Sequence, residues 1–266
     1  MSSNTQDIAT TTPLTTTKES WEGIPILSED PDELLRYGIC KVPLPEGFDA
    51  EQWAEELSTI PLTSLGFEGD GEYAFYRNIL DEPDFPFDRI LSFPQNEQDE
   101  QEEEKQTTNT PSTIAAAILK HFPVQDLKEL RLDDAFCVHY NMEQDDTTGA
   151  KHMDPSDITI NMCLQKSKDA QGSYVLFHGT RQLENVPDFE TNQGGESTVD
   201  NQDDQDTAAS STTKFLVMQT PGFATIHFGD HPHETTPLYK GSRTNVILTL
   251  WYTDPNRSDV ATRACY

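Results

Sequence analysis

Basic residues are scarce in this chain. Lys and Arg number 18 against 47 Asp and Glu over 266 residues, a formal net charge of −29. Such a polyanion repels nucleic-acid phosphates and anionic lipid surfaces, so neither is an expected partner. It suits plain solubility, or a basic protein as partner. Cysteine is scarce as well: Cys40, Cys137, Cys163 and Cys265 form no CxxC pair, and three lie in or beside apolar runs. They read as small buried hydrophobes, which excludes a zinc site or a disulfide framework. No apolar stretch reaches the roughly 20 residues of a membrane span. The N-terminal stretch lacks the basic and apolar regions of a secretory signal. The expectation is a soluble protein of the cytoplasm or nucleus, its oligomeric state open.

Apolar residues make up only 34% of the chain, but the polar excess is concentrated. Residues 1–20 are Ser/Thr-rich and read as a disordered tail. Acidic, low-complexity insertions are expected at about 95–111 and 182–213, and residues 256–266 form a C-terminal tail. What remains within 21–255 reads as one domain. Its first third carries helical signals. PDELLRYG ends at Gly38, and DAEQWAEELSTI has Asp49 as cap with Trp53, Leu57 and Ile60 on one face. STIAAAILKHF starts at Ser112 and stops before Pro123. ICKVPLP between the first two reads as a strand. From Asp134 the pattern changes to AFCVHY, DITINMCL, SYVLFHG, KFLVMQ, FATIHFG and TNVILTLWY, short runs rich in β-branched and aromatic residues. Helices first and then six or more short strands predict an antiparallel sandwich or barrel with helices on one side.

The chain holds one His-x-Asp, His152-Met153-Asp154. On a strand, residues i and i+2 share a face, so both side chains can reach one ion. A second imidazole from a facing strand would complete a facial triad, which leaves open positions on a non-haem iron(II). Alone, the tripeptide says little, because seven histidines in an Asp-rich chain produce it by chance about as often as not. The downstream segment HPHETTPLYKGSRTNVILTLWY adds weight. His233 stands four residues before Pro237, eight before Gly241 and ten before Arg243. If the two strands pair as a hairpin, His233 and Arg243 both point inside. Strand parity then puts Arg243, Asn245, Ile247, Thr249 and Trp251 on one face. A guanidinium inside a barrel needs an anion, and a dicarboxylate such as 2-oxoglutarate fits its bidentate geometry. His231 and His227 compete with His233. The first precedes a proline at the wrong offsets, and the second, inside FATIHFG, reads as a buried structural histidine. His121, His139 and His178 have no partner at ligand spacing. Asn161 and Asn245 face either the cosubstrate or an ordinary ladder.

The combination HxD…H-x3-P-x3-G-x-R, followed by an apolar strand ending in Trp, resembles the Fe(II)/2-oxoglutarate dioxygenase superfamily. Within it, the prolyl-4-hydroxylase-like branch is most similar. HMDPSDITINMCL is also similar to runs in uncharacterised oxygenases of that group, and the likeness covers about residues 30–255. The resemblance implies a mainly β, double-stranded β-helix (jelly-roll) core with flanking α-helices from the N-terminal third. It implies His152, Asp154 and His233 as iron ligands, and Arg243 as partner of the distal 2-oxoglutarate carboxylate. Tyr140 is implied as a further cosubstrate contact. The expected cofactors are Fe(II), 2-oxoglutarate and O2, and the expected activity is hydroxylation of a C–H bond. A protein side chain such as prolyl comes first as substrate, with a small molecule as the alternative. A non-catalytic jelly-roll interaction module with a vestigial metal site is the reading from another class. The family's Gly-Gly-Glu-Leu strand start appears here only as Gln171-Gly172-Ser173-Tyr174.

Overall fold

The computed structural model describes residues 21, 23–59, 75–80, 84–91, 111–144, 147–186 and 213–258. The disordered tail expected at 1–20 and most of both acidic insertions lie outside them.

Helix α1 (Pro31–Arg36) begins under the Asp30 side chain, which accepts from the Asp32 amide, and has proline in its first turn. The chain then turns at Gly38, φ +88°, where a side chain would run into the backbone of Arg181. Strand β1 (Cys40–Pro43) follows, then α2 (Ala50–Thr59), whose first turn is held by Asp49 accepting from the Gln52 amide at 2.9 Å. Strand β2 (Phe75–Asn78) and helix α3 (Phe87–Leu91) precede α4 (Thr113–His121). Ser112 caps α4 by accepting from the Ala115 amide at 3.1 Å, as the sequence predicts.

Ten strands follow: β3 (Leu130–Asn141), β4 (Gly149–His152), β5 (Ile158–Lys166), β6 (Gln171–Gly172), β7 (Val175–His178), β8 (Lys214–Val217), β9 (Phe223–Phe228), β10 (His233–Thr235), β11 (Leu238–Lys240) and β12 (Ser242–Tyr252). They form a six-stranded sheet in the order β1-β9-β5-β12-β3-β2 and a four-stranded sheet in the order β4-β10-β7-β8, with β11 and β6 paired separately. Every strand pair is antiparallel. Two such sheets, with the chain crossing repeatedly from one to the other after β3, make the expected jelly-roll.

The alternation of side chains assigns each face of the large sheet its task. One face of β12 carries Val246, Leu248 and Leu250. These join Ile158, Ile160, Met162 and Leu164 of β5 and Ala224 and Ile226 of β9 in the main core. The helices supply its other half, among them Leu57, Ile90, Ile114 and Ile118. The opposite face, turned to the inside of the jelly-roll, is of another character. It carries Arg243, Asn245 and Thr249 on β12, Thr159 on β5, and Thr225 and His227 on β9, all buried. Buried polar groups need partners, so an interior lined this way is a site rather than a core.

One expectation fails. The strands bearing His233 and Arg243 do not pair as a hairpin. His233 begins β10 in the small sheet, paired with His152 of β4 and Phe177 of β7. Arg243 is on β12 in the large sheet, opposite Tyr140 and Lys166. Between them β11 pairs with β6. β4 and β7 take both edges of β10, and Gly241, at φ +81°, begins β12 so close to Ser167 and Ala170 that a side chain there would collide with them. The two residues still approach one interior, from opposite walls.

Candidate active site

His152 closes β4, and Asp154 lies just beyond it in the loop leading to β5. The two therefore converge by the loop's course rather than by strand parity alone. The Asp154 amide donates to the Gly229 carbonyl at 2.9 Å, and the Gly229 amide donates to the Asp157 carbonyl at 3.1 Å. A side chain at Gly229 would collide with the Ser156 carbonyl and hydroxyl. Gly229→Ala is thus expected to push the Asp154 loop aside. The expected cost is about 1–3 kcal/mol of stability, as for other overpacked sites. Loss of divalent-metal affinity in a titration should accompany it, and unchanged affinity would show that the loop is not fixed this way.

Ligand atoms of His152, Asp154 and His233 all lie within 4.8 Å of one another, the one such group of three among the described residues. His152 Nε2 is 3.3 Å from one Asp154 carboxylate oxygen, and His233 Nε2 is 3.8 Å from the other. The two imidazole centroids are 4.5 Å apart. The far side of each ring is anchored to backbone. His152 Nδ1 faces the Ala150 carbonyl at 2.6 Å, and His233 Nδ1 faces the His231 carbonyl at 2.9 Å. A carbonyl only accepts, so each Nδ1 holds a proton, and each Nε2 is the atom turned to the centre. The Thr159 hydroxyl donates to Asp154 at 2.6 Å and so orients the carboxylate.

The electrostatics agree with that arrangement. Burial works to raise the Asp154 carboxyl, but His233, His152, His227 and the Thr159 hydroxyl outweigh it and hold the group well below the usual range. The His152 ring is raised, chiefly through its bond to Asp154. The His233 ring is lowered by its burial, which favours the neutral, metal-ready form. Asp154 and His233 are buried, whereas the His152 side chain is 48% exposed. One flank of the triad therefore opens to the surface.

The competing histidines are occupied elsewhere. His231 is fully buried, with Nε2 on the Gly179 carbonyl at 3.1 Å and its ring 4.8 Å from that of Phe177. Burial lowers it to about 4. His227 is buried behind His233, its ring 4.9 Å away and its Nδ1 on the Phe228 carbonyl, and burial brings it to about 3. His121 contacts the Glu184 carbonyl, His139 the Thr244 hydroxyl, and His178 the Glu234 carboxylate.

Arg243 is 3% exposed, yet among the described residues no carboxylate pairs with it. One Nη donates to the Ser173 carbonyl at 2.9 Å, and the guanidinium lies 5.0 Å from the centre of the Tyr140 ring. Among the described residues its Nε has no partner, and neither does the buried Ser173 hydroxyl. Tyr140 turns its hydroxyl toward the Thr148 carbonyl at 3.3 Å, so its ring, not its oxygen, addresses Arg243. A buried cation with unspent donors fits a bound anion. Thr159 and Arg243 occupy the same face of the large sheet, which places the triad and the guanidinium on one interior.

Sequence reasoning missed Ser173, Thr159 and Gln219. Thr159 shares the inward parity of β5 and could have been read from it. Ser173, at φ +58°, and Gln219, in the loop after β8, follow no period. A surface cleft lined by Pro123, Val124, Gln125, Glu129, Glu184 and Arg257 holds an Arg257–Glu129 ion pair but no imidazole or thiol, and is distinct from this interior. No helix among the described residues is long and apolar enough to cross a membrane.

No protein-family model and no curated protein matches the chain. Among solved structures it is similar to the non-heme alpha ketoglutarate dependent epimerase SnoN from nogalamycin biosynthesis, at 14% identity and TM-score 0.49, over 82% of this chain and 79% of that one. HygX from Streptomyces hygroscopicus with iron bound is similar at 11% identity and TM-score 0.49, over 86% and 88%. A 2OG-Fe(II) oxygenase family oxidoreductase from Burkholderia pseudomallei is similar at 12% identity and TM-score 0.42, over 80% and 84%. Likenesses this distant assign no residue a role, so the chemistry of the interior rests on its own side chains.

Proposed function

We propose that this protein is an iron(II)- and 2-oxoglutarate-dependent oxygenase that hydroxylates a C–H bond. The observation that carries the reading is the pairing, inside one jelly-roll, of a His/Asp/His cluster with a buried guanidinium that no carboxylate among the described residues neutralises. The donor set fits the metal: two imidazoles with Nε2 turned to one centre and one carboxylate suit a non-haem iron(II) site with positions left open. Arg243 fits the distal carboxylate of the cosubstrate, which a dicarboxylate supplies and a simple 2-oxo acid does not. Bound together with O2, iron and 2-oxoglutarate supply the oxidising power, with succinate and CO2 as by-products.

The chain's own residues set the conditions for that chemistry. Thr159 keeps the Asp154 carboxylate oriented, and the Ala150 and His231 carbonyls keep both imidazoles in the ligating tautomer. The Tyr140 ring flanks Arg243. The exposed flank at His152 lets a substrate approach the triad from solvent. The substrate class this reading favours is a protein side chain such as prolyl, which the sequence resemblance suggests, with a small-molecule C–H bond as the alternative.

The test is anaerobic. Fe(II) and 2-oxoglutarate added to the protein should produce the visible metal-to-ligand charge-transfer band of a chelated 2-oxo acid, and admission of O2 should yield succinate. If neither the band nor succinate appears, the proposal fails and the reading as a non-catalytic module takes its place.

A further inference from the structure

A third set of unspent polar atoms lies on the same interior wall. Asn245 is two residues beyond Arg243 on β12, hence on the same face and about 7 Å along it. It is 1% exposed. Its amide nitrogen donates to Asn161 and, at 2.9 Å, to Gln219 Oε1. Gln219, 2% exposed, is left with a buried Nε2 that has no partner, and Asn245 with a buried, unpartnered Oδ1. The orientation in which Asn245 donates leaves the spare donor on Gln219; reversing all three amides would move it to Asn245.

Gln219 belongs to the loop after β8, where a glutamine would ordinarily turn to solvent. The structure holds it inward. Lys41, 6% exposed, donates to the Met218 carbonyl at 3.1 Å and to the Thr220 hydroxyl at 2.7 Å, so it grips the residues on either side of Gln219. Glu29 pairs with Lys41 at 2.9 Å and also accepts from Thr220. Upstream of Glu29, the amide of Leu27 donates to the Leu216 carbonyl at 2.9 Å, and the Leu216 amide donates to the Pro25 carbonyl at 2.9 Å. The N-terminal segment and the edge strand β1 thus clamp one short loop from outside, with its glutamine facing in.

Three buried donors without partners among the described residues therefore meet where β12 faces the ends of β7 and β8: Arg243 Nε, Ser173 Oγ and Gln219 Nε2. A carboxylate, with about four lone-pair sites on two oxygens, answers three donors at once, whereas a neutral carbonyl answers fewer. We propose that Gln219 is a specificity-determining residue that, with Arg243 and Ser173, receives the distal carboxylate of the cosubstrate. A carboxylate does not use the Asn245 Oδ1 acceptor. The proposal rests on the reading of this interior as a 2-oxoglutarate site.

The experiment compares two ligands on Fe(II)-loaded, anaerobic protein, following the charge-transfer band and the ligand-induced shift in melting temperature. 2-Oxoglutarate has the distal carboxylate; 2-oxobutyrate has the same 2-oxo acid head without it. Gln219→Leu removes the donor. Gln219→Glu still accepts from Asn245 but replaces the donor with a negative charge, so it tests the contact with least disturbance of packing. Expected is a rise in the Kd for 2-oxoglutarate of about 10-fold for the first and about 100-fold for the second. Binding of 2-oxobutyrate should stay within about 2-fold in both variants. Unchanged 2-oxoglutarate binding, or equal loss of both acids, overturns the assignment of Gln219. If the wild-type protein binds neither acid, the oxygenase reading falls and this inference falls with it.

Discussion

His233→Ala is expected to abolish iron binding, while His231→Ala leaves it largely intact. His233 supplies a ligand nitrogen that nothing nearby can replace: His227, the nearest other ring, has its Nδ1 on the Phe228 carbonyl. Removing a group that merely supports a ligand costs 10–100-fold in metal affinity, and loss of the ligand itself should exceed about 100-fold. His231 matters to His233 only through its backbone carbonyl, which alanine keeps. The His231 ring packs against Phe177 and Phe215, so its removal should show as a loss of about 1–3 kcal/mol of stability rather than of metal. A titration with Fe(II) under argon, read beside thermal unfolding, separates the two. The reverse pattern would move the ligand to His231.

Arg243→Ala is expected to weaken 2-oxoglutarate binding by about 100- to 1000-fold with iron binding retained. That range corresponds to roughly 3–4 kcal/mol for a buried charge pair that loses one partner. Arg243→Lys should fall between, because the ammonium keeps the charge and loses the planar fork. A second measurement separates a ligand-binding arginine from a structural one. Without ligand, Arg243 is a buried cation with no carboxylate partner among the described residues, so its presence destabilises the apoprotein. Arg243→Met should leave the melting temperature of the apoprotein unchanged or raise it, as is common when a binding site is made apolar. A large fall in that temperature would mark Arg243 as a scaffold residue and undo the cosubstrate assignment.

How much of this was legible in the sequence follows from how local each cause is. The caps of α2 and α4 depend on Asp49 and Ser112 and their immediate neighbours, so they could be read directly. The inward row Arg243-Asn245-Ile247-Thr249 follows from parity on one long strand and was equally accessible. Pairing was not. Which strand lies beside β10 is decided by β4 and β7, whose hydrogen bonds come from about 60 to 80 residues earlier. Nothing within HPHETTPLYKGSR records that, so a short Pro- and Gly-containing link looked like a hairpin. Spacing together with the family resemblance points to His152, Asp154 and His233, although Asp154 is placed by a loop bonded to Gly229 rather than by a strand. Gln219 was invisible for the same reason: its inward pose is imposed by Lys41 and Glu29, which lie far off in sequence.

The two faces of β12 have a consequence for how such a protein can change. Val246, Leu248 and Leu250 belong to the packing beneath the helices, whereas Asn245, Ile247 and Thr249 face the interior. Substitutions at the odd-numbered positions can reshape what the cavity accepts while the even-numbered ones keep the domain folded. Mutational tolerance should therefore alternate along this strand. A library randomised at 245, 247 and 249 should keep more folded members than one randomised at 246, 248 and 250, which should yield mostly unfolded chains. Selection acting on one strand can in this way explore chemistry and preserve architecture at adjacent residues.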